Sequence, residues 1–125
     1  MKRILVVEDE SLLSELLRKN LADEGYYVFL AKDGEEGLEQ IRTQKPDLVL
    51  LDIVMPRLNG FEVLERMRKD SSIKDIPVII ISNSGQSTEI EEAKHKGVVD
   101  WLIKTEFDPI EVVKKVKKHI GPGME

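Results

Sequence analysis

Short apolar runs return along this chain at near-regular intervals, and that recurrence limits the possible folds more than any other feature. The runs are Ile4-Leu5-Val6-Val7, Val28-Phe29-Leu30, Leu48-Val49-Leu50-Leu51, Val78-Ile79-Ile80-Ile81, and Val98-Val99 through Ile103. Most of their residues are β-branched. The first four are nearly continuous rather than alternating, which predicts strands covered on both faces. The fifth carries Asp100 and reads as an edge strand.

Helical patterns lie between and after these runs. Leu12, Leu13, Leu16, Leu17 and Leu21 mark an apolar stripe, closed by Gly25 as a C-cap. Gly37, Leu38 and Ile41 predict a second helix that stops before Pro46. Phe61, Leu64 and Met67 give a third, and Ile90 and Ala93 a fourth ended by Gly97. Pro109 suits the first turn of a fifth, with Ile110, Val113, Val116 and Ile120 on its buried side. Five β-α units in strict alternation predict an α/β fold: a doubly wound, five-stranded parallel sheet of flavodoxin-like order 2-1-3-4-5, with five helices. Residues 1–120 form one domain on this reading, and 121–125 are a tail or the start of a linker.

Composition narrows the function. With 41% apolar and 34% charged residues the chain reads as soluble, and its net charge of −5 argues against direct nucleic-acid binding. The absence of cysteine excludes disulfides and zinc-thiolate sites. Lys2-Arg3 precedes too short an apolar run for an export signal, and no stretch is long enough to cross a bilayer, so a cytoplasmic location without membrane contact is expected. His95 and His119, each beside a lysine, read as surface positions. Lys114, Lys115, Lys117 and Lys118 read as a solvated basic face, with docking of an acidic partner as the alternative.

In a sheet of this order ligands bind beyond the carboxyl ends of the strands. The first run ends in Glu8-Asp9, the third in Asp52, the fourth in Ser82 and the fifth in Lys104. Carboxylates about 4 Å apart repel by roughly 4 kcal/mol per pair at an effective dielectric near 20. A hard divalent cation relieves that repulsion, and magnesium suits it best, since it uses one or two protein carboxylates, keeps waters, and then takes a phosphate oxygen. Lys104 and Ser82 would hold the same anion from the other side. Singly, Asp9 could cap the helix near Ser11, Asp52 could be a loop residue, Ser82 a turn hydroxyl and Lys104 a solvated end. Jointly, those readings require four coincidences at one end of one sheet, and we reject them.

Glu8-Asp9 after an apolar strand, Asp52-Ile53-Val54-Met55-Pro56 with Asn59-Gly60, then Ser82 and Lys104, resemble the receiver domain of two-component response regulators, from Arg3 to about Ile120. The resemblance implies a signalling switch rather than an enzyme acting on a separate substrate. Asp52 would accept a phosphoryl group from a sensor histidine kinase or phosphotransfer protein. Glu8, Asp9, Asp52 and the Val54 backbone carbonyl would hold Mg2+. Ser82 and Lys104 would bind phosphoryl oxygens, and Ser82 with Trp101 would switch the face of the fourth helix, fifth strand and fifth helix toward a downstream effector protein or domain. The acyl phosphate would then hydrolyse.

Three residues depart from the family pattern. Glu8 stands where Asp is usual, Asn83 where a small residue is usual, and Thr105 where Pro follows a cis bond. A cis bond before a non-proline residue costs about 3 to 4 kcal/mol, which favours trans here. Three rivals are weaker. A metal-dependent phosphatase needs a second acid where Val54 stands, and a cap. A nucleotide or flavin carrier needs Gly, Ser or Thr where Glu8-Asp9-Glu10 would repel phosphate. An unphosphorylated interaction module is opposed by the intact acids and Lys104.

Overall fold

The computed structural model describes residues 1–55, 57–83, 85–105 and 108–123. Strands and helices alternate as the apolar runs require: β1 (Arg3–Val7), α1 (Ser11–Asp23), β2 (Tyr27–Ala31), α2 (Gly34–Gln44), β3 (Leu48–Asp52), α3 (Gly60–Lys69), β4 (Val78–Ser82), α4 (Ser87–His95), β5 (Asp100–Ile103) and α5 (Pro109–Ile120). All strand pairs are parallel, in the order β2-β1-β3-β4-β5. The carboxyl ends of β1, β3, β4 and β5 therefore share one rim.

Alternation along the strands divides the core between two faces. Leu5, Val7, Val49, Leu51 and Ile80 pack against Leu38 and Ile41 of α2, Val63, Leu64 and Met67 of α3, and Ala93 of α4. Ile4, Val6, Leu48, Leu50, Ile79 and Ile81 pack against Leu17 and Leu21 of α1 and Val112 and Val116 of α5. β3 and β4 are buried throughout and β1 from Ile4 onward, as expected, but β2 is the other edge, with Tyr27 exposed and Val28, Phe29 and Leu30 half-buried.

Two apolar stripes need correction. Leu12 is 88% exposed and Leu16 46%, because the inward line of α1 runs through Ser14, Leu17 and Leu21. On α5, Ile110 is exposed and Val112 is buried instead, two residues being more than half a helical turn apart. The helix ends follow local chemistry. Asp33 and Asp108 accept from the third residue of α2 and α5, and Asn59 with Glu62 forms a capping box on α3. Gly25 and Gly97 take the positive φ that ends α1 and α4.

After α5 the chain is tied down. The Tyr26 hydroxyl donates to the Gly121 carbonyl, and the Lys2 amine donates to the Ile120 carbonyl. Gly123 is buried so close to the α1–β2 turn that a Cβ there would lie 2.6 Å from the Gly25 carbonyl carbon.

Candidate functional site

The shared rim brings the acidic residues together. Asp52 is the last residue of β3 and only 2% exposed, and Glu8, just after β1, is equally buried. Asp9 is exposed beside them. One carboxylate oxygen from each lies within 4.8 Å of the others. Asp9 is not the cap of α1: Glu10 occupies the N-cap position, with no side-chain capping bond.

Lys104 follows β5 directly and closes the group. Its Nζ lies 3.0 Å from Asp52 Oδ2, 2.9 Å from Glu8 Oε1 and 3.1 Å from Glu8 Oε2. It is no solvated end, its side chain being 10% exposed. The Lys104–Thr105 bond is trans, as no cis bond occurs among the described residues. Burial opposes charge on the amine, but its bonds to Glu8 and Asp52 outweigh that and raise its pKa. Burial pushes the Glu8 carboxyl up to about 7, with the Asp52 charge adding to the rise, against the opposing bonds from Lys104 and the Glu10 N–H.

The remaining expected residues are close in sequence or fold to these. Ser82 ends β4, buried, and its carbonyl accepts from the Lys104 N–H at 2.7 Å. The Val54 N–H donates to Asp52 Oδ1 at 3.2 Å, while the Val54 side chain is 75% exposed. Pro56 of the motif lies outside the described residues. Trp101 is half-buried on the α4 side of β5, beside a hollow of about 130 Å³ lined with Ile90, Lys94, Val98 and Val99.

The donor set fits a hard cation. Three carboxylates face one lysine, and the buried Glu8 Oε1, though near that lysine, accepts no well-formed hydrogen bond. An oxygen-ligated divalent ion would supply the charge this pocket lacks.

Sequence reasoning missed what holds the loop after Asp52. A Cβ on Gly34 would overlap the Leu58 carbonyl, and one on Gly60 would press on Asp52 and Ile53, so both glycines let the loop lie against the sheet rim. An Asp-Gly pair such as Asp33-Gly34 is a turn signal that could have drawn attention to this position, but nothing local names its partner Leu58. The basic face of α5 is also partly used up internally: Lys115 pairs with Asp100 and Lys117 with Glu24. His119 is no plain surface residue, its Nε2 lying 3.0 Å from Asp100 Oδ2.

Known proteins resemble this chain in sequence and fold. The chain is 40% identical over 104 residues to protein PilH of Pseudomonas aeruginosa, covering 83% of this chain and 86% of that one. It superposes on the chemotaxis protein CheY4 of Vibrio cholerae with a TM-score of 0.89 at 28% identity, covering 95% of this chain and 98% of the other. A phosphorylated cyanobacterial phytochrome response regulator, RcpA, matches with a TM-score of 0.84 at 28% identity, over 95% of this chain and 93% of that one. The chain spans about half the length of several other curated relatives it matches, transcriptional regulators among them. Residues 4–117 match the response regulator receiver domain, and the chain belongs to that family of two-component signalling proteins.

Proposed function

We propose that this domain accepts a phosphoryl group on Asp52 from a phosphohistidine donor and releases it by hydrolysis, so that its surface reports the state of a sensor kinase. The observation that carries this reading is the placement of Asp52, buried at the rim and 3.0 Å from the Lys104 amine, with Glu8 and Asp9 alongside. Glu8, Asp9, Asp52 and the Val54 carbonyl would hold magnesium. When bound, the ion supplies positive charge to the transferring oxygens.

The protein's own residues do the rest. An Asp52 oxygen attacks phosphorus, the new P–O bond forms, and the donor imidazole leaves with the electrons of the P–N bond. Lys104 and Ser82 bind the phosphoryl oxygens. Water later attacks phosphorus, releasing phosphate and restoring the Asp52 carboxylate. Ser82 draws toward the phosphoryl group, and Trp101 repacks, altering the face made by α4, β5 and α5 for an effector. RcpA, a relative solved in its phosphorylated form, supports the same chemistry here.

The two exposed leucines of α1 suit a docking donor. Leu12 and Leu16 stand exposed on the helix that begins two residues after Asp9, on the chain segment leading out of the pocket. Acetyl phosphate with magnesium is expected to add one acid-stable, base-labile phosphoryl group to the wild type and none to Asp52→Asn; label that persists in the variant overturns the assignment. Leu12→Glu is expected to slow transfer from a kinase and leave acetyl phosphate labelling unchanged.

A further inference from the structure

Glu8 departs from the usual aspartate by one methylene, and the structure shows what that methylene reaches. β1 and β5 are separated by β3 and β4 in the sheet, about 14 Å apart at the usual strand spacing. The Glu8 and Lys104 side chains nonetheless meet across that gap, with both Glu8 oxygens within 3.1 Å of the amine. The Glu10 N–H donates to Glu8 Oε2 at 3.0 Å and holds the carboxylate from the α1 side. The Glu8 side chain is fully buried, so this pair is little screened by solvent.

We propose that Glu8 is a positioning residue that parks the Lys104 amine between two carboxylates in the resting domain, so that a divalent ion must compete with the lysine for the Glu8 carboxylate. The proposal rests on the reading of this pocket as a magnesium-assisted phosphoryl acceptor. Two cations close to one carboxylate repel each other, so ion binding and the Lys104–Glu8 pair oppose one another. An aspartate at this position, about 1.5 Å shorter, would leave the amine to Asp52 alone. The longer acid therefore weakens magnesium binding and delays release of Lys104 toward the phosphoryl oxygens.

Glu8→Asp tests this directly. Magnesium titrated into the full chain and followed by calorimetry is expected to bind the variant about fivefold more tightly than the wild type. The Lys104 ammonium signal in nitrogen NMR, sheltered from water exchange by its carboxylate partners, is expected to lose protection without magnesium. Equal or weaker magnesium binding overturns the proposal, as does unchanged protection of Lys104. Should Glu8→Asp fold poorly, Glu8→Gln keeps the length and removes the charge; unchanged Lys104 protection there also overturns it. Failure of acetyl phosphate to label wild-type Asp52, with both shifts observed, would sink the phosphoryl-acceptor reading and leave the lysine's parking by Glu8 intact.

Discussion

Gly60 lies so close under Asp52 that a Cβ on it would stand 2.5 Å from the Asp52 carbonyl oxygen and 2.8 Å from the Ile53 Cα. The Gly60 N–H donates to the Ile53 carbonyl at 2.8 Å, which closes the loop that begins at the candidate acceptor. The position is intolerant for want of space. Gly60→Ala is expected to cost about 1–3 kcal/mol, the usual range for overpacking, and to displace Asp52. Chemical denaturation checks it, and an unchanged midpoint would show that the loop yields without cost.

Asp9 differs from its two neighbours in being exposed, so its removal bears on the pocket rather than on the core. Asp9→Ala is expected to keep stability within about 0.5 kcal/mol of wild type while weakening magnesium binding at least severalfold. Calorimetric titration decides it. Retained affinity would mean that the ion sits elsewhere.

Lys104 is the cation that pairs with both Glu8 and Asp52, each of which is buried. Lys104→Ala leaves these carboxylates facing each other without compensation. Breaking such a pair costs about 3–5 kcal/mol when fully buried, and partial exposure of the lysine reduces this to about 2 kcal/mol. Magnesium is expected to take over the same role, so the loss in thermal midpoint is expected without the ion and mostly reversed with it. Phosphorylation is expected to be slow in both conditions. A variant equally stable with and without magnesium would contradict the account.

Asp100 ties β5 to α5. Burial opposes its charge, but bonds from Lys115, His119 and the Trp101 N–H outweigh that and lower its pKa. A carboxyl depressed in the folded state stabilises fully above its unfolded pKa and loses that contribution as pH falls through the folded value. Asp100→Asn is therefore expected to be less stable than wild type at pH 7. The gap is expected to narrow as pH falls below about 4, near the ordinary aspartate value. Denaturation at a series of pH values measures it, and a gap constant down to pH 2 would remove the ion pairs as its cause.

The positions of the acids and the lysine were legible because each follows directly on an apolar strand. Parallel strands deliver their carboxyl ends to one rim, so Glu8, Asp9, Asp52, Ser82 and Lys104 could be grouped without coordinates. The helix caps at Asp33, Asn59 and Asp108 are local, since a side chain reaches only its own first turn.

Rotation about a helix axis was beyond the same reasoning. Leu12 and Leu16 are as apolar as Leu13 and Leu17, and hydropathy cannot rank two adjacent stripes; only the seating of α1 on the sheet turned one pair outward. The same holds for Ile110 and Val112 on α5. Pairings between distant segments were equally hidden: Lys104 with Glu8, Asp100 with His119, Tyr26 with Gly121. Periodic patterning and capping act over a few residues, so the sequence alone determined the elements, their order and the chemistry at their ends. Side-chain reach across neighbouring strands and helices exists only once the chain has packed, so the tertiary structure decided which groups meet.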